Sequence, residues 1–228
     1  LKIQTIHSFC AGLLRRFPIE ARISPNFTEL DDRSARMLRE EIIDQIASGP
    51  DAGVLDAVAG LVSGMEFGPL AAEIGRNSDA FSRPVDLDTC LDLFGLPPGF
   101  DEGALLSEVF LGGEDALFAA MITLLRGGGT KDQELADCLD QVRGQPPGLA
   151  SLVALEGKLL FGKGAKAGPF TAKIDNIPNK PMRTGPCAPH MPAFEALMLR
   201  VEAARPRRIA LAAARRSAGL HTFAAVFL

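Results

Sequence analysis

The stretch Asp31–Pro50, DDRSARMLREEIIDQIASGP, decides how the chain is read. Its apolar residues Ala35, Leu38, Ile42 and Ile46 return every three or four positions, the period of one helix face. Asp31 or Asp32 can accept the free N–H groups of the first turn. Gly49-Pro50 closes the helix, because proline cannot continue it. Upstream the same period holds in Ile6, Phe9, Leu13 and Phe17, and Pro18 stops that helix. Downstream it defines helical windows at about 52–63, 67–75, 86–94, 102–111, 114–126, 131–143 and 149–161. The joints between them are of the type Pro97-Pro98-Gly99, Gly127-Gly128-Gly129 and Pro146-Pro147-Gly148. Only Leu1–Gln4 and Phe170–Ile174 read as extended. The expected fold class is therefore all-α.

Residues 162–192 break the rhythm. Pro169, Pro178, Pro181, Pro186, Pro189 and Pro192 stand there among several glycines, a composition that opposes a regular helix. Two helices are expected after it, about 193–204 and 206–226, with Pro206 in the first turn of the last. With no internal repeat, residues 1–228 read as a single multi-helix domain carrying one long Pro/Gly-rich basic loop.

Composition narrows the function classes. The chain has 228 residues, 47% hydrophobic and 23% charged, enough for a real core. No run approaches the roughly 20 apolar residues of a membrane span. The apolar start, Leu1-Lys2-Ile3-Gln4, has neither an initiating Met nor a signal-peptide layout, and reads as a piece of a longer chain. Four dispersed cysteines, Cys10, Cys90, Cys138 and Cys187, fit reduced thiols in a cytoplasm rather than a disulfide framework. The net charge of −4 gives no global nucleic-acid signature, so any DNA contact has to come from local patches.

Several catalytic chemistries lack their residues. A phosphate-cradling loop needs glycine, lysine and a hydroxyl in fixed order. Gly128-Gly129-Thr130-Lys131 has them in the wrong order, and Gly162-Lys163-Gly164 lacks the hydroxyl. Leu30-Asp31-Asp32 opens a helix and reads as a cap, not as a metal-holding acidic pair. His7-x-x-Cys10 and Cys187-x-x-His190 could together compose a Cys₂His₂ zinc set. Against that, Cys10 falls on the apolar face of its helix, where a free buried cysteine is common, and no metal is expected. Ser8 beside His7 is no catalytic pair, because adjacent helical residues do not face each other.

Two basic stretches remain. Between Glu156 and Arg183 stand Lys158, Lys163, Lys166, Lys173, Lys180 and Arg183 against Glu156 and Asp175, a local excess of four positive charges. The last helices add Arg200, Arg205, Arg207, Arg208, Arg215 and Arg216. The alternatives are a solvated surface, with arginines answering helix dipoles, or a phosphate-binding patch. Only Phe161 and Phe170 interleave with those lysines, so phosphate attraction outranks base stacking.

The segment Ile3-Gln4-Thr5-Ile6-His7-Ser8-Phe9-Cys10, continued by Leu13-Leu14-Arg15-Arg16-Phe17-Pro18-Ile19-Glu20-Ala21, resembles the Thr-x-His motif of UvrD-like superfamily 1 helicases. Running on into Pro25-Asn26-Phe27-Thr28-Glu29-Leu30-Asp31-Asp32, it looks specifically like AddA, the helicase–nuclease protein related to RecB. The resemblance covers residues 1–47. A further likeness, in Arg207–Leu228, is to the helix that returns to the motor before its acidic ATPase motif. No resemblance is assigned to residues 48–155.

The resemblance implies that this chain is the mostly helical 1B subdomain, inserted in the first motor domain between those two motifs. It implies that ATP and magnesium belong to the remainder of the protein and that this region has no cofactor of its own. The implied whole unwinds and resects double-stranded DNA ends for recombinational repair, as a heterodimer with a second subunit. The Thr-x-His motif of that family follows the single-strand track, and a helix N-terminus with free N–H groups suits a phosphate. Thr5, His7, Ser8, Arg15 and Arg16 are expected DNA contacts on that account, with capping and packing as their other roles. Lys158, Lys163, Lys166 and Lys173 in the basic loop complete the expected set, touching duplex ahead of the motor. The competing expectation is a helical interaction module that holds the partner subunit without touching DNA.

Overall fold

A computed structural model describes residues 6–24, 26–28, 30–61, 67–166 and 168–228, with only the backbone of His7 and Leu61. Thr5 and the extended reading of Leu1–Gln4 fall outside the described residues. The chain is all-α. Among the described residues the only β feature is an isolated antiparallel bridge between Leu160 and Ala172. No described helix is long and apolar enough to cross a membrane. Two compact units divide the chain, one running to Pro84 and including Thr222–Leu228, the other Val85–His221.

The first unit holds α1 (Ile6–Arg16), α2 (Asp32–Ser48), α3 (Ala52–Leu61) and α4 (Phe67–Arg76), then a 3-10 turn at Ser78–Phe81. Asp31 is the cap of α2. Its Oδ1 accepts the Ser34 N–H at 2.7 Å, and that bond, chiefly, holds the carboxyl below its usual range. Helix α2 packs on α3 and α4, burying Ile46, Leu55, Val58, Leu70 and Ile74. Phe223 joins this unit, fully buried and edge-on to Phe67 with ring centroids 6.0 Å apart.

Two details differ from the periodicity. Leu38, expected on the inner face of α2, is 45% exposed, while Ala35 and Ile42 are half-buried and Ile46 is buried. In α1, Cys10 is exposed and its neighbour Ala11 is buried. Ile6, Phe9, Leu13 and Phe17 lie between 45% and 80% exposed. The three-to-four spacing states which residues share a face; it does not state that the unit supplies a surface to cover it.

The second unit contains α5 (Leu87–Leu93), α6 (Glu102–Val109), α7 (Glu114–Leu125), α8 (Thr130–Arg143), α9 (Leu149–Leu159) and the five-residue α10 (Lys180–Thr184). A 3-10 turn at Ala188–His190 leads into α11 (Met191–Phe227). Arg143 at the end of α8 pairs with Asp115 at the start of α7 at 2.9 Å, so these helices run antiparallel. Lys158 at the end of α9 meets Glu134 near the start of α8 at 2.8 Å, which sets that pair antiparallel too. Their shared core includes Leu105, Met121, Leu125, Leu139, Leu155 and Leu159, all closed to solvent, with Phe194, Leu197 and Val201 from α11.

The expected break at Pro206 does not occur: α11 is continuous through it. An internal proline costs a helix roughly 3 kcal/mol. Here the flanking turns are held by tertiary contacts on both sides. Val201, Ala204, Leu211 and Ala214 are buried along one face. Arg208 donates to both oxygens of the buried Glu156, at 2.6 and 2.8 Å, and Arg205 donates to the same carboxylate. The expectation of one irregular loop over 162–192 is likewise corrected, since α10 and the first residues of α11 fall inside it. Pro181 stands in the first turn of α10, where its missing N–H has no intrahelical acceptor to lose.

A candidate nucleic-acid interface

The geometry starts at the α7–α8 joint. Gly128 and Gly129 bring the chain close around Asp132, whose side chain is almost completely buried. A Cβ on Gly128 would come within 2.6 Å of the Asp132 Cβ, so the glycine is required by close approach. The Asp132 carboxylate accepts three N–H groups. Gly129 N reaches Oδ2 at 3.1 Å, Asn179 N reaches Oδ1 at 2.8 Å, and Asn179 Nδ2 reaches Oδ2 at 3.0 Å. A carboxylate so enclosed has its lone pairs satisfied by charge-assisted bonds. The bonds also fix residue 179 beside the N-terminus of α8, 47 positions earlier in the chain.

A second anchor holds the other wall. Phe161 N donates to Thr171 O at 2.9 Å, Phe170 N to Phe161 O at 3.1 Å, and Lys173 N to Leu159 O at 2.9 Å. Glu202 of α11 accepts the Ala172 N–H at 2.8 Å, and the Arg205 guanidinium lies 3.8 Å from the Phe170 ring centroid. The segment after α9 is thereby tied back to the helical core.

Between these anchors lies a groove of about 620 Å³. Lys131, Lys158, Lys173 and Lys180 line it, with Glu134 and Asp175 as its acids. Phe161, Ile177 and the amides Asn176 and Asn179 complete the walls. Asp175 is almost fully exposed and lies 3.9 Å from the Arg183 guanidinium. Lys158 is held by Glu134, and this hydrogen bond, followed by the lysine's charge, pulls the Glu134 carboxyl below its usual range. Lys173 Nζ donates to the Lys158 carbonyl at 2.8 Å. Burial, then repulsion from Lys158, lowers its pKa from the ordinary lysine value. Lys131 and Lys180 form no ion pair among the described residues. A concave wall with two uncommitted ammonium groups and two more held in place is suited to successive phosphates.

The expected contacts are distributed unevenly. Lys158 and Lys173 line the groove; Lys163 and Lys166 are exposed on the adjoining turn and do not. Lys131 is absent from the expected set, because in sequence it stands alone 27 residues before Lys158. Lys180 is visible in sequence only as a member of the basic stretch. In the first unit, Ser8 is exposed, Arg15 lies over the Phe27 ring at 5.1 Å and Arg16 over Phe17 at 5.9 Å. Thr5 and the His7 side chain lie outside the described residues.

Four of the six arginines of the Arg-rich end are engaged within the second unit. Arg200 donates to the Val109 carbonyl and to Glu114, each at 2.9 Å. Arg207 pairs with Glu108 and lies 4.7 Å from the Phe100 ring centroid. Arg205 and Arg208 share Glu156. Glu114 and Glu156 are buried carboxylates that need such partners, and guanidinium forks supply them. Cys187 is buried in the second unit, with burial raising its thiol pKa, and Cys10 is exposed in the first.

Among known proteins, the chain is 30% identical over 107 residues to an ATP-dependent helicase/nuclease subunit of Limosilactobacillus fermentum. The alignment takes in 45% of this chain and 8% of that protein, so the chain spans less than a tenth of its relative's length. No family model matches the chain, and no solved structure matches it. The likeness supports kinship with helicase/nuclease subunits and does not locate the chain within a particular subdomain of one.

Proposed function

We propose that this chain is a DNA-contacting accessory region of an ATP-dependent helicase/nuclease, in the manner of the 1B insertion of AddA-type subunits. The single observation that carries the proposal is the four-lysine groove, in a chain whose net charge is −4. The kinship with a helicase/nuclease subunit supports it. In this reading ATP, magnesium and the strand-cleaving chemistry belong to the rest of the larger protein. The groove binds phosphates without reading sequence. Lys131 and Lys180 provide exposed charge, while Lys158 and Lys173 provide charge held by Glu134 and by the Lys158 carbonyl. Thr5, His7, Ser8, Arg15 and Arg16 are proposed as a second contact, for which family resemblance is the support; Arg15 and Arg16 stand in the last turn of α1.

Fluorescence anisotropy with labelled DNA tests the proposal. Binding through ~3–5 phosphates gives a log–log salt slope between about −2 and −4.5, irrespective of base sequence. Affinity indifferent to salt would contradict phosphate binding.

The exposed apolar face of α1 favours a second reading. Ile6, Phe9, Leu13 and Phe17 form a stripe of the kind that protein partners cover, as the second subunit of a helicase–nuclease heterodimer would. If Phe9→Ser and Leu13→Ser abolish association with that subunit while leaving DNA affinity intact, the chain holds both surfaces. If association survives both changes, the face has another role.

A further inference from the structure

We infer that the lysine groove is a single-strand site in which one nucleobase stacks on Phe161 while neighbouring phosphates meet Lys131 and Lys180. The inference rests on the reading of the groove as a DNA contact and adds which form of DNA it takes. Three observations carry it. Phe161 lines the same groove as the four lysines, half-buried rather than packed into the core. Its backbone is held from both sides by Thr171 and Phe170, so the ring is offered from a fixed position. The groove's volume, about 620 Å³, is that of a small-ligand pocket and suits a nucleotide laid into it, not a helical segment.

The chemistry then separates the two forms of DNA. A duplex keeps its bases paired and stacked, and can offer this groove only the phosphates of one edge. A single strand offers those phosphates and also an unstacked base. A cationic groove with an aromatic platform is the arrangement that exploits both, and stacking tolerates any base. Ile177 and Asn176 share the groove with the platform. The other amide of the groove, Asn179, is committed to Asp132, so one amide is left beside the platform to meet a base edge, and no sequence preference is expected.

The 228-residue chain itself allows a direct test. Because it contains neither Trp nor Tyr, 2-aminopurine in a short oligonucleotide reports stacking against negligible protein background. The expected result is tighter binding of the single strand than of a hairpin duplex with equal phosphate number, by about tenfold, with a change in 2-aminopurine emission. Phe161→Leu should remove the emission change and most of the preference while thermal unfolding stays near that of the unaltered chain. Should Phe161→Leu unfold the chain, Phe161→Tyr, which keeps the ring, must retain the preference. Equal affinity for both forms, each weakened by Lys131→Glu with Lys180→Glu, would overturn the stacking inference and leave the DNA-contact reading standing. Binding unaffected by those lysine changes would overturn the reading beneath it as well.

Discussion

The carboxylate of Asp132 grips Asn179 twice, through the backbone N–H at 2.8 Å and the side-chain amide at 3.0 Å. This contact joins two walls of the groove that are far apart in sequence. On one side is the glycine joint and Lys131 of α8; on the other is the turn that enters α10 and presents Lys180. The proposed interface therefore depends on a residue that touches no DNA.

Asp132→Ala should show this. It leaves three N–H groups without their buried acceptor, at about 1–3 kcal/mol for each that finds no substitute. Thermal unfolding should move down by several degrees, and DNA affinity should fall further than loss of a single phosphate contact would explain. Gly128→Ala should act in the same direction through its clash with the Asp132 side chain. Unchanged stability and affinity in both variants would remove Asp132 from the account.

Glu156 holds two of the arginines of α11. Its side chain is 3% exposed and serves Arg205 and Arg208, each 22% exposed. Glu156→Ala leaves two partly buried guanidiniums facing an apolar cavity, and breaking a buried pair in this way costs about 3–5 kcal/mol. The measurement is chemical denaturation of Glu156→Ala beside a Glu156→Ala/Arg208→Met double variant, in which part of the loss should return. Loss of under ~1 kcal/mol would mean that these arginines are solvated surface charges after all.

How much of the molecule is legible in its sequence depends on the physical scale of each feature. Helix positions are, because periodicity and caps are local: Asp31 caps α2 as expected, and the windows 114–126, 131–143 and 149–161 correspond to α7, α8 and α9. The continuity of α11 is not, because Pro206 argues locally for a break and only tertiary contacts at Glu156 and along the buried face override it. Lys158 and Lys173 are legible as members of a charge run. Lys131 is not, since it is tertiary contacts, Asp132–Asn179 and Glu134–Lys158, that bring α8 to that run. The arginines mislead for the complementary reason: sequence shows charge, but not the carboxylate across the core that has already taken it.

Lys173 gives the groove a pH dependence with a definite sign. Its pKa lies below the ordinary 10.5, first because of burial and then because of Lys158. Between the lowered value and 10.5 the unfolded chain binds this proton more firmly, so this group's contribution to stability rises with pH. DNA phosphate acts oppositely: it favours the ammonium form and raises the pKa again. Binding in that window should take up a proton, and affinity should fall as pH rises. Lys173→Gln should flatten the dependence, measured by calorimetry in buffers of different ionisation enthalpy. Proton release on binding would contradict this assignment.

The most direct measurement is the salt slope of DNA binding before and after Lys131 and Lys180 are both changed to Gln. If the groove is the interface, two phosphate contacts are lost together. The log–log slope then becomes shallower by about 1.4 on single strands and 1.8 on duplex, with affinity reduced for every sequence alike. A slope unchanged by both substitutions, in a chain that still folds and binds, would place the DNA elsewhere on the protein and contradict the account at its centre.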